Sequence, residues 1–185
     1  MLRAHVAVLV GFLAVAGCDR GTPPARVVEA PPPATSPGEP AELGPVHRLT
    51  VRDLDGNAVP LARFAGRPLI IEVWATWCGP CIANRGNVHA VRRGMPERVQ
   101  VIALSVDADS ARGKGSDLVK GFLKANPAND FEGMASPEFL EFMRTINPSS
   151  SIPKTMYVDS KGRVADLSEG TQTRQWLAAM AKNLK

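Results

Sequence analysis

Apolar residues fall along the chain in runs of contrasting period. An unbroken apolar run fills residues 6–16, too short to span a bilayer comfortably. Residues 19–45 then hold half of the sixteen prolines and few aliphatic side chains, which predicts an extended tether rather than part of a core. In polyproline II geometry, at ~3.1 Å per residue, such a tether reaches up to roughly 80 Å. From residue 46 apolar and polar side chains alternate on either side of Asp55-Gly56, the pattern of a β-hairpin. Residues 68–74 are rich in Ile, Val and Trp and read as a strand buried on both faces. The run breaks at Gly79-Pro80, where a helix can start and continue to about residue 93.

Residues 98–107 repeat the buried-strand pattern. A polar loop over 108–116 follows, and Leu118 and Phe122 are spaced for a helix over 117–125. Phe139, Leu140 and Met143 predict a second helix over 137–146, with 126–136 as an irregular join and 108–136 as an insertion. Two strands, 155–158 and 163–167, flank a turn at 159–162, and a helix from about residue 173 closes the order. No internal repeat is present. The expected fold is α/β: a three-layer sandwich with a mixed central sheet, an N-terminal β-hairpin and a helical insertion.

With 185 residues, 44% apolar and 22% charged, the chain can bury one core and carry extra segments. A formal charge of +4, with its basic residues scattered and only Arg92-Arg93 adjacent, gives no case for nucleic acid. Arg3, the apolar run and Gly17-Cys18 have the layout of a secretory signal. Val15-Ala16-Gly17-Cys18 resembles a bacterial lipobox, in which Cys18 becomes the lipidated first residue. The alternative is an ordinary cleavage after Ala16 that leaves Cys18 as a free thiol. Lipidation consumes one of three cysteines and leaves a pair. The organisation expected is therefore a lipoprotein signal over 1–17, a lipidated cysteine and tether over 18–45, and a domain over 46–185. Asp19, by resemblance to lipoproteins of Gram-negative bacteria, points to retention at the inner membrane on the periplasmic side. In a Gram-positive host the same anchor would hold the exterior face.

The pair that remains is Cys78 and Cys81, at a strand-to-helix turn. Unpaired N–H groups and the positive end of the helix dipole favour a thiolate there, and Cys78 is the better placed as nucleophile. Cys81, one turn inside the helix, can attack a mixed disulfide formed at Cys78 and release it. Zinc would need four ligands, and no second CxxC or paired histidines follow. A c-type haem would need His at position 82, which is Ile. A purely structural disulfide across so short a loop would close little chain entropy. Asp53, Asp55 and Gly56 read as a plain turn, since the later ligands of a calcium loop are missing. His47 and His89 read as ordinary surface or core residues, Trp74 as core and Trp176 as helix packing.

Trp77-Cys78-Gly79-Pro80-Cys81 matches the thioredoxin active-site motif letter for letter, and the wider pattern resembles the TlpA-like membrane-anchored thioredoxins of bacteria over roughly residues 46–183. A bare CxxC is a weak signal, whereas this motif after a buried strand is a strong one. Thioredoxins carry an acid where Glu72 stands; by that resemblance Glu72 takes the proton of Cys81, and its burial between apolar neighbours should raise its pKa. The rival reading of Glu72 is a sheet-edge residue paired with a surface Arg. Ile152-Pro153 resembles the family's cis-proline loop, which faces the cysteines and offers a backbone edge to a substrate peptide. The resemblance makes Trp77, Gly79, Pro80 and Ile152 the docking surface and Pro153 part of the catalytic set.

Asn84 and Gly86 stand where TlpA-like proteins usually have Glu and a helix-kinking Pro, and Lys154 is unusual after the cis proline. The resemblance implies an exported thiol-disulfide oxidoreductase whose only redox centre is the cysteine pair, with no metal or other cofactor. Disulfide-containing envelope proteins would be its substrates and a DsbD-type transmembrane carrier its electron donor. Gly-Pro between the cysteines argues for a reductant. Alternatives are a disulfide oxidase or isomerase, and a Cu(I) metallochaperone using the same thiolates, though a third ligand is not evident.

Overall fold

The computed structural model describes residues 43–185. The expected signal, Cys18 and the tether up to residue 42 lie outside the described residues. After a 3-10 turn at Val46–Arg48 come β1 (Thr50–Asp53), β2 (Ala58–Pro60), a second 3-10 turn at Leu61–Phe64, β3 (Leu69–Trp74), α1 (Gly79–Gly94), β4 (Gln100–Ser105) and α2 (Gly115–Leu123). Then follow β5 (Phe131–Met134), α3 (Pro137–Ile146), β6 (Lys154–Val158), β7 (Val164–Glu169) and α4 (Arg174–Asn183). The strands form one sheet in the order β2-β1-β5-β4-β3-β6-β7. β3, β4 and β5 run parallel, and the outer pairings are antiparallel.

Every residue of β3 is buried because the strand is central and covered on both faces. Leu69, Ile71 and Val73 pack with Ile102, Leu104 and the α3 residues Phe139 and Met143. On the opposite face Ile70 packs with Val88 and Val91 of α1 and Leu177 and Ala181 of α4. Trp74 joins Ala103 and Val119 of α2 there, so α1, α2 and α4 form one outer layer and α3 the other. The expected three-layer α/β sandwich with a mixed sheet is the one observed. Local chemistry ends and starts the helices where the sequence allows. Ser136 caps α3, its Oγ accepting from the Phe139 N–H at 3.1 Å, and Thr173 caps α4 by accepting from the Trp176 N–H at 3.2 Å.

The hairpin turn is held by Asp53, whose Oδ1 accepts from the N–H groups of Asp55 (2.9 Å) and Asn57 (2.8 Å), a plain turn as expected. Two expectations need correction. The supposed irregular join over 126–136 contains β5, a strand inside the sheet between β1 and β4. Phe131-Glu-Gly-Met134 has neither alternation nor an apolar run, so its conformation comes from its partners; at Gly133 a Cβ would come within 2.4 Å of the Arg52 carbonyl oxygen. Trp176 is 47% exposed rather than packed. The first hairpin strand begins only at Thr50, its expected opening being a 3-10 turn at Val46–Arg48, and elsewhere element ends move by one or two residues. Helix α1 runs through Gly86 as one element of 16 residues. Among the described residues no helix is long and apolar enough to cross a membrane.

The chain enters the domain beside the turn that joins β6 to β7. The Gly44 N–H donates to the Lys161 carbonyl at 2.7 Å and that of Val46 to the Gly162 carbonyl at 3.0 Å. His47 is buried beneath Gly162, which has φ +82°, and a Cβ on Gly162 would lie 2.5 Å from His47 Nδ1. Gly162→Ala is therefore expected to lower stability by about 1–3 kcal/mol. Urea unfolding should show an earlier midpoint at unchanged slope, and an unmoved midpoint would refute this account of the turn.

Candidate active site

Strand β3 delivers the chain to the cysteines at its C-terminal end, and the intervening turn is fixed from the neighbouring strand. Asp107, just past β4, accepts from the Thr76 N–H (2.8 Å), from Thr76 Oγ1 (2.7 Å) and from Ser105 Oγ (2.6 Å). With Thr76 held, Cys78 becomes the N-cap of α1, and its Sγ accepts from the Cys81 N–H at 3.2 Å. The sulfur thus occupies the place where orphan N–H groups and the helix dipole favour negative charge. Pro80 sits in the first turn, where its missing N–H costs nothing. Cys78 and Cys81 are joined as a disulfide. Only Cys78 reaches solvent, at 6% exposure against 0% for Cys81, while Trp77 beside it is 62% exposed.

Ile152-Pro153 is cis, as expected, and faces the cysteines: Cys78 Sγ lies 3.9 Å from the Ile152 carbonyl oxygen. Lys154 explains its own presence. It is 1% exposed, and its Nζ donates to Glu169 Oε2 (3.0 Å) and Asn147 Oδ1 (3.1 Å), tying both flanks of the proline loop to the start of β6. The Lys154 hydrogen bond holds the Glu169 carboxyl below its usual range. The Gly170 N–H donates to the Pro153 carbonyl at 2.9 Å, and Thr171 Oγ1 to the Pro80 carbonyl at 3.1 Å, so the loop after β7 spans from the cis proline to the helix start.

Glu72 lies in mid-strand, fully buried, in register with Ala103 on one side and Thr155 on the other. This rules out the sheet-edge reading. Asn84 Nδ2 donates to Glu72 Oε1 (2.7 Å) and to Thr155 Oγ1 (3.2 Å), while its Oδ1 accepts from the Gln172 N–H (2.8 Å). Glu72 Oε2 has no hydrogen-bond partner. Burial pushes the carboxyl up to about 7, opposed by the nearby Arg85 charge and by the Asn84 hydrogen bond. Cys81 packs in the same buried cluster as Ala103, Glu72's register partner. Asn84 is thus the amide that orients this acid, where sequence comparison alone showed only a departure. Its signal was a polar residue one helical turn after Cys81, on the face that must meet β3.

Cys78, Cys81, Trp77, Gly79, Pro80, Ile152 and Pro153 therefore meet at one end of the sheet, with Glu72 beneath. His47 is at the opposite end, and His89 lies on α1 outside this group. A family model described as Redoxin matches residues 33–184. The chain belongs to the Redoxin family. This redoxin is 28% identical over 138 residues to the thiol-disulfide oxidoreductase ResA of Bacillus thuringiensis, covering 74% of each chain. It is 25% identical over 130 residues to the thioredoxin-like protein YneN of Bacillus subtilis, covering 69% of this chain and 71% of that one. Its fold is similar to that of a DsbF homologue from Corynebacterium diphtheriae, with a TM-score of 0.64 at 22% identity over 80% of this chain and 96% of that one. The expected thioredoxin superfamily membership is thereby met.

The buried acid has a consequence for stability. Its pKa is about 7 folded against 4.5 in a free chain, so the folded state holds a proton that the unfolded state has lost between these values. Stability attributable to Glu72 is then present below about pH 4.5 and falls as pH rises through about 7. Glu72→Gln keeps the oxygen that Asn84 engages and removes the titration. It should stabilise the protein by roughly 2–3 kcal/mol at pH 8, with the gain vanishing towards pH 5 in denaturant unfolding. A gain independent of pH would contradict this.

Proposed function

We propose that this thiol-disulfide oxidoreductase is exported, held at the periplasmic face of the inner membrane through Cys18, and reduces disulfides in envelope proteins. The observation that carries the reading is the division of the pair. One sulfur is reachable and accepts from a helix N–H, and the other is sealed in the buried cluster that holds Ala103, the register partner of an acid poised near neutral pH.

The Cys78 thiolate attacks a substrate disulfide, forming a mixed disulfide and releasing one substrate thiolate. Cys81 gives its proton to Glu72, directly or through water, and its sulfur attacks Cys78 Sγ. The Cys78–Cys81 disulfide forms and the second substrate sulfur leaves as a thiolate, which takes its proton from Glu72 or water, so two electrons pass to the substrate. Trp77, Gly79, Pro80 and the Ile152 backbone edge beside Pro153 receive the substrate segment, which can add like a strand. No metal or other cofactor takes part in these steps. An oxidising compartment supplies no thiol pool, so a DsbD-type transmembrane carrier restores the dithiol. The apolar run over residues 6–16 and the lipobox-like segment at Cys18 support export and anchoring.

The test is the reduction potential of the pair by equilibration in thiol buffers. A value near or below about −220 mV is expected, and one near −120 to −150 mV would reverse the direction of electron flow. Glu72→Gln should slow resolution of the Cys78 mixed disulfide by about 10²-fold while the protein stays folded. An unchanged rate would remove Glu72 from the mechanism.

A further inference from the structure

Helix α1 sends two consecutive buried polar side chains onto the same sheet face. Asn84 reaches Glu72. Arg85 reaches Glu132 of β5, with Nη2 2.8 Å and Nη1 3.3 Å from the two carboxylate oxygens. Both side chains are only 6% exposed. The guanidinium also stacks over Trp74, 4.0 Å from the ring centroid. Glu132 Oε1 also accepts from the Asn129 N–H at 2.8 Å. Strand register sets Glu72, Ala103 and Glu132 side by side on β3, β4 and β5. Two ladder steps of ~4.8 Å leave the two acidic residues' backbones roughly 10 Å apart. Ala103 stands on β4 between them, in the cluster that also holds Cys81.

A buried ion pair adds little net stability over apolar residues of the same volume, so this one calls for another role. Charges in such a layer are weakly screened. We propose that Arg85 and Glu132 are positioning residues for thiol exchange, an opposed pair of charges through which α1 and β5 act on Glu72 and so on proton transfer at Cys81. This rests on the general-base reading of Glu72 given above. Arg85 favours the ionised acid, and Glu132 opposes it. Burial raises the acid's pKa, and the two charges adjust that rise in opposite directions, Arg85 the more strongly. Tyr157 on β6 also lies within electrostatic reach of it, its phenol kept neutral by burial that pushes it up to about 12.

The test is a carboxyl NMR titration of Glu72 in the reduced protein, alongside the pH profile of mixed-disulfide resolution. Arg85→Met should raise the Glu72 midpoint by roughly one pH unit and Glu132→Gln should lower it by less. The double variant should fall between the two single variants. Below its midpoint the resolution rate of Arg85→Met should change about tenfold with the shift. A merely structural pair would not give opposite signs, so single-variant midpoints that move together, or stay still, overturn the proposal. Should Arg85→Met fail to fold, Arg85→Lys with Glu132→Gln keeps a cation without its partner and must still lower the midpoint; no shift there also overturns it. Midpoints that move oppositely while the rate profile stays fixed support the charge coupling and refute Glu72 as the base.

Discussion

The structure depends on keeping a carboxyl group dry in the middle of a sheet. Glu72 has no solvated face to turn to, and a fully ionised acid there would cost several kcal/mol. The fold meets this by aiming α1 across β3 so that Asn84 arrives over it, with Thr155 supplied by the neighbouring strand. Asn84 thereby ties α1 to β3 and β6 one turn after Cys81.

Cys78 and Cys81 are chemically alike and become different through position. One caps the helix that the other is part of, and a hydrogen bond from the second residue's N–H to the first residue's sulfur links their states. Nothing at the helix start needs to move for this asymmetry to exist. It follows from Thr76 being anchored by Asp107 on one side and the proline loop being braced by Lys154 and Glu169 on the other.

Much of this could be read from residues alone, for reasons that differ by element. β3 and β4 were legible because both faces are buried, so nearly every position had to be apolar. The cysteine turn was legible because Gly79-Pro80 stops a strand and Trp77 to Cys81 is a rare combination. β5 was hidden because its middle residues are Glu132 and Gly133, one chosen for an ion pair and the other for the close passage of β1. Asn84, Arg85 and Asp107 were hidden for a related reason. Their partners are 12, 47 and 31 residues away, and periodicity within one segment carries no trace of a contact made between segments.

The chain joins the domain at the β6–β7 turn, and β6 begins at the proline loop beside the cysteines. The point of entry and the sulfurs are thus at opposite poles, with the length of the sheet between them. A substrate segment can therefore approach the cysteines from a side that the entering chain does not occupy.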